Sequence, residues 1–75
     1  KEVMSDKQFL IESITKDIVS YLIEDYGMDL QTALRRFYNS DTYAKLLDER
    51  SGLYTQSSAY IYDFLKHELR TGKMG

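Results

Sequence analysis

The segment over residues 40–69 constrains the fold most, because it holds two helix start signals separated by a turn. Ser40 can cap a first helix, and Thr55 or Ser57 can cap a second, since side-chain oxygens at these positions accept bonds from free amides. Gly52 lies between them and can take a positive φ at no steric cost. Each predicted helix carries an apolar face at spacings of three and four. Two short helices cannot bury these faces between themselves, so we expect the rest of the chain to cover them.

The N-terminal third predicts one long helix, from Ser5 or Asp6 to about Tyr26, with a broad apolar stripe. Gly27 fits the position after a helix end, and Asp29 can cap a second helix over about residues 30–39. Strand-like alternation is absent from the sequence. The prediction is therefore an all-α fold, a compact bundle of about four helices with one long N-terminal helix and three shorter ones.

The length of 75 residues predicts a single domain over residues 1–75, with residues 1–5 and 73–75 as disordered tails. A chain this small has marginal stability, and without cysteine it cannot add a disulfide. Tight helical packing or oligomerisation is the remaining source of stability. The residues predicted to form the core are Ile14, Ile18, Leu22, Leu34, Phe37, Leu46, Leu47, Ile61 and Leu65.

Charge and hydropathy exclude several classes of protein. Ten basic and twelve acidic residues give a formal charge of −2 with the two signs interspersed, which argues against a phosphate-binding surface as the main function. No apolar run approaches the roughly 18 residues of a membrane span, and the basic-then-apolar pattern of a secretory signal is missing. We therefore expect a soluble cytoplasmic protein that does not contact a membrane.

Candidate catalytic or metal-binding groups are few. His67 and Asp63 lie four residues apart, but two ligands do not make a metal site. Glu24, Asp25 and Asp29 cluster near a predicted helix end, where Asp29 already has a role as a cap. Phosphate loops, nucleophile elbows and zinc spacings are absent from the sequence. We expect a protein that is not an enzyme and needs no metal or cofactor.

Arg35 and Arg36 on the second predicted helix supply the strongest indication of nucleic-acid binding. Arginines beside Tyr38 and Tyr43 could hold phosphate and stack on bases. A small DNA-binding regulator that uses the second and third helices is therefore the alternative function. Against it, the third helix starts with the acidic Asp41, where a recognition helix usually carries basic or amide side chains.

Seven tyrosines and three phenylalanines are more than the core of a small helical domain requires. Each tyrosine hydroxyl needs a partner when buried, so some rings must lie half-exposed, as edges of the core or as a binding surface. On the long helix, five apolar residues fall beyond the stripe that one neighbour can bury. They are Phe9, Leu10, Val19, Ile23 and Tyr26. We expect them to bind a protein partner, most simply a second copy in a homodimer.

Residues 40–68 also resemble a group of small uncharacterised bacterial helical proteins. The shared pattern is a Ser-x-Thr helix start, a Gly-Leu-Tyr turn, a serine, and a closing helix with Tyr and Leu-x-x-Glu. The matching residues are Ser40, Thr42, Leu46, Gly52, Leu53, Tyr54, Ser57, Tyr60, Leu65 and Glu68. Some related small families are encoded beside toxin genes, so the resemblance implies an accessory or antitoxin-like binding role.

Overall fold

The computed structural model describes residues 6–72, and four α-helices account for most of them. The helices are α1 (Asp6–Tyr26), α2 (Leu30–Tyr38), α3 (Asp41–Leu47) and α4 (Ser58–Thr71), and two 3₁₀ turns, Glu49–Ser51 and Leu53–Thr55, connect α3 to α4. No strand occurs within residues 6–72. The predicted all-α bundle with one long N-terminal helix is confirmed. The predicted tails, residues 1–5 and 73–75, lie outside the described residues.

The three shorter helices begin where the sequence predicted, each at a side-chain cap. Asp29 accepts a hydrogen bond from the Thr32 amide, Ser40 from the Tyr43 amide, and Ser57 from the Tyr60 amide. Of the two candidates for α4, Ser57 is therefore the cap. Hydrogen bonds from Thr32 lower the pKa of Asp29, because they favour the charged carboxylate.

Two glycines turn the chain between helices. Gly27 ends α1 with a φ of 68° and donates its amide to the Ile23 carbonyl at 3.1 Å. Gly52 has the same φ of 68° between the two 3₁₀ turns. Nothing lies within 4 Å of the place a Cβ would occupy at either residue, so the backbone angle and not crowding requires glycine.

The core lies between α1 and the three shorter helices. Seven of the nine predicted core residues are buried, namely Ile14, Ile18, Leu22, Phe37, Leu46, Ile61 and Leu65. Leu34 is only partly buried, and the prediction is wrong for Leu47, whose exposure is 44%. Adjacent residues in a helix point about 100° apart, so when Leu46 points into the core, Leu47 points away from it. Leu53, from the second 3₁₀ turn, is also buried in this core.

A carboxylate of α4 caps the start of α3. Glu68 accepts hydrogen bonds from the amides of Asp41 at 2.8 Å and Thr42 at 3.0 Å, and from the Thr42 hydroxyl at 2.8 Å. Thr42 is fully buried, so this carboxylate satisfies a hydroxyl that would otherwise lack a partner. Ser40, Thr42 and Glu68 thus all have structural roles at the start of α3.

A second polar contact joins α4 to the end of α1. The Tyr62 hydroxyl donates to the Asp25 carboxylate at 2.8 Å, and the Tyr62 ring packs on Tyr21 with centroids 4.8 Å apart. Burial raises the pKa of Tyr62 well above its usual value, and the hydrogen bond to Asp25 raises it further. One turn earlier in α4, the Ser58 hydroxyl donates to Asp17 at 2.6 Å. These contacts fix α4 along α1.

Candidate protein-binding groove along helix α1

The five residues predicted to bind a partner do not form one surface. Phe9, Leu10, Ile23 and Tyr26 are exposed, but Val19 is only 6% exposed and belongs to the core. The prediction that Val19 stands free is therefore wrong, because α2 packs against that side of α1. Leu10 and Ile23 point about 140° apart around the helix axis, since they are 13 residues apart at 100° per residue. Leu10 therefore lies on a different flank of α1.

An apolar groove runs instead between α1 and α2. Its volume is about 580 Å³. The apolar side chains that line it are Ile11, Val19, Ile23, Leu30, Leu34 and Tyr38. On α2 they form the row Leu30, Leu34 and Tyr38, four residues apart, which places them on one side of that helix. Two helices thus present apolar side chains to the same channel.

A second groove, of about 330 Å³, continues the first toward the start of α1. Lys7, Gln8 and Leu47 line it, and it shares Ile11, Glu12 and Tyr43 with the first groove. From Gln8 to Ile23 the two cover about 22 Å of α1, at 1.5 Å per residue. We call this continuous channel, formed by α1, α2 and α3, the α1 groove.

Of the eight large hydrophobic side chains exposed within residues 6–72, four lie along the α1 groove: Ile23, Leu30, Tyr38 and Leu47. Tyr43 stands between them, partly buried, with its ring 5.0 Å from Tyr38 and 5.1 Å from Phe37. Burial raises the pKa of Tyr43. These contacts between aromatic rings of α2 and α3 hold Tyr43 in place in the middle of the groove.

Two opposite charges stand on the α1 side of the groove. Glu12 and Lys16 are both exposed, and neither forms an ion pair or hydrogen bond within residues 6–72. Lys7 differs, since its ammonium contacts Glu49 and the Leu47 carbonyl, both at 3.2 Å. The groove therefore offers one unpaired acid and one unpaired base beside its apolar strip.

Arg35 and Arg36, the candidates for nucleic-acid binding, lie elsewhere. They are exposed in the last turn of α2 and line a depression of about 440 Å³ with Glu68 of α4 and with Gly72, which follows that helix. Cations at a helix C-terminus interact favourably with the helix dipole, which gives both arginines a structural role. The start of α3, which a recognition helix would present to DNA, is occupied by Glu68.

The remaining polar candidates form no shared site. His67 lies 3.3 Å from Arg70, and Asp63 pairs with Lys66 at 3.5 Å. Within residues 6–72, no three His, Asp or Glu side chains come close enough together to hold a metal ion. None of the helices in this same part of the chain is long and apolar enough to cross a bilayer.

Of the five residues predicted from the sequence to bind a partner, Val19 and Ile23 line the groove, and the other lining residues were missed. The row Leu30, Leu34 and Tyr38 was a usable signal, because three large apolar residues at a spacing of four exceed what α2 buries. The exposure of Leu47 had no such signal. Comparison with the known protein families, with curated proteins and with solved structures found no match to this chain.

Proposed function

We propose that this protein is a non-enzymatic helical module that forms a homodimer through the α1 groove. One observation carries the proposal: half of the large hydrophobic side chains exposed in the described part of the chain lie along a single groove formed by three helices. Contiguous exposed apolar surface is the usual mark of an interaction site. Homodimer interfaces are the more apolar class of protein contact, which favours a second copy as the occupant.

The size of the domain supports the same occupant. A 75-residue domain without a disulfide gains stability most directly by burying more apolar area. Each Å² of apolar surface removed from water contributes about 25 cal/mol, and a stable dimer buries about 1,200 Å² or more in total. A two-fold axis gives both copies the same contact, so one groove supplies both halves of the interface.

Leu30→Glu tests the groove. Leu30 is 57% exposed, and glutamate suits the first turn of a helix, so α2 should fold normally. We expect the wild-type chain to sediment as a dimer at about 100 μM and Leu30→Glu as a monomer with unchanged helicity. Wild-type protein that is monomeric at this concentration contradicts the proposal.

The matched control is Tyr60→Glu. Tyr60 is 48% exposed and also lies in the first turn of its helix, but on α4, outside the groove. This variant should remain a dimer. If Tyr60→Glu dissociates the dimer while Leu30→Glu does not, the interface lies on α4 and the groove is not the site.

A further inference from the structure

Six residues of α1 follow the spacing of a coiled-coil seam. Counting from Phe9, the steps are three, four, three, four and three residues. The residues are Phe9, Glu12, Lys16, Val19, Ile23 and Tyr26. This is the a/d heptad pattern along which two helices pack side by side. The two charged residues adjoin each other in the row, with one apolar residue before them and three after them.

We propose that, in the homodimer on which the proposed function rests, two copies of α1 pair antiparallel in the α1 groove. Glu12 of each copy lies opposite Lys16 of the other. The same register places Phe9 of each copy opposite Val19 of the other. Both pairs have their midpoint at Ile14, so the two-fold axis passes beside that residue. Phe9, 59% exposed on its own chain, thereby covers the buried Val19 at the bottom of the other copy's groove.

The two charges select this register over its neighbour. In the neighbouring register, the two-fold axis lies between residues 17 and 18 of α1. The two helices overlap over more residues there, but Lys16 then lies opposite Val19, and Glu12 lies opposite Ile23. Burying a charge against an apolar side chain, with no partner, is strongly unfavourable. In the register centred on Ile14, both charges of both copies are paired. A polar pair at seam positions fixes the register of coiled coils in the same way.

The two-fold axis turns the pair into two equivalent ion pairs. Neither Glu12 nor Lys16 has a partner within the described part of its own chain, so forming these pairs breaks no existing contact. The row of Leu30, Leu34 and Tyr38 then flanks the second copy's α1 on the outer side of the groove. Each α1 contacts both α1 and α2 of the other copy.

Charge reversal tests the register. In Lys16→Glu, positions 12 and 16 are both acidic, and in Glu12→Lys both are basic. In a dimer of either variant, like charges therefore lie opposite each other. We expect the dimer dissociation constant of each to rise about 100-fold or more, because like charges in contact cost several kcal/mol. An equimolar mixture of the two variants should form a heterodimer, which sedimentation detects as a doubling of mass on mixing.

Two controls separate the register from net charge and from folding. The double variant with Glu12→Lys and Lys16→Glu restores opposite charges and should dimerise like the wild type. Glu24→Lys makes the same change in net charge as Glu12→Lys but lies outside the seam, so its dimer should be unchanged. Circular dichroism should show the same helicity for all four variants.

The possible failures are distinguishable. If the wild type is a dimer and both single reversals also dimerise normally, this register is wrong while the proposed function stands. If each reversal dissociates the dimer but the mixture stays monomeric, Glu12 and Lys16 lie in the interface without facing each other, and the register is again wrong. A monomeric wild type overturns both proposals.

Discussion

The hydroxyl of Tyr62 makes the stability of the fold sensitive to alkaline pH. Burial first and the hydrogen bond to Asp25 second raise its pKa in the folded state. The protonated hydroxyl contributes its full stability at pH values below about 10, the pKa of tyrosine in the unfolded chain. That contribution is lost as the pH rises toward the higher pKa of the folded chain. We expect the free energy of unfolding, measured with urea, to fall between about pH 9.5 and 11.

Tyr62→Phe should flatten this alkaline loss, because it removes the ionising group. Tyr60→Phe is the control, since Tyr60 is exposed and its hydroxyl has no partner within residues 6–72. That variant should keep the wild-type pH dependence. Parallel curves for the wild type and Tyr62→Phe would show that another group causes the loss.

Two leucines should differ sharply in what truncation costs. Leu65 is fully buried in the core, whereas Leu47 is 44% exposed. Leu65→Ala should lower the free energy of unfolding by about 2–5 kcal/mol, through lost burial and a new cavity. In the monomer, at dilution well below the dimer dissociation constant, Leu47→Ala should change it by about 0.5 kcal/mol or less. Chemical denaturation of both variants at that dilution measures the contrast, and equal losses would mean that Leu47 is buried within the single chain.

Among the helices, α3 depends most on another element. Glu68→Ala removes the acceptor for the Asp41 and Thr42 amides and for the buried Thr42 hydroxyl. Leaving the donors of buried Thr42 without partners should cost about 1–3 kcal/mol and speed hydrogen exchange of the α3 amides. Asp63→Ala on the same helix, which removes only a surface ion pair, should do neither. Unchanged exchange in Glu68→Ala would show that water replaces the carboxylate at no cost.

How far the sequence predicts these elements depends on the distance between the residues that decide them. The caps at Asp29, Ser40 and Ser57 act within three residues, so local pattern was enough to place the helix starts. The Glu68 contacts join residues 26 and 27 positions apart, which no local pattern shows.

The candidate site was harder to predict for the same reason. Helical spacing gave the exposure of Ile23, but whether Val19 is covered depends on where α2 packs. The α1 groove exists only because three helices meet along it, and Leu47 lines it from the last position of α3. The spacing within one helix can show that it carries more apolar residues than one neighbour buries. It cannot show the groove between helices in which those residues meet.

At the scale of the whole molecule, the charge distribution predicts weak interaction with nucleic acid. The net charge is −2, and Arg35 and Arg36 are a single cluster at one helix end. We expect no specific duplex binding at physiological salt, because few phosphates could be neutralised. A mobility shift in the nanomolar range that Arg35→Ala with Arg36→Ala abolishes would overturn this and support a DNA-binding regulator.

The position of Glu68 also orders the events of folding. A helix of seven residues is too short to persist alone in water, and the carboxylate that completes its start is 27 positions further along the chain. During synthesis, residues 41–47 are therefore made well before they can hold their structure. They should stay open to proteases until the last turn of α4 docks. From then on α3 and α4 should form and unfold as one cooperative unit.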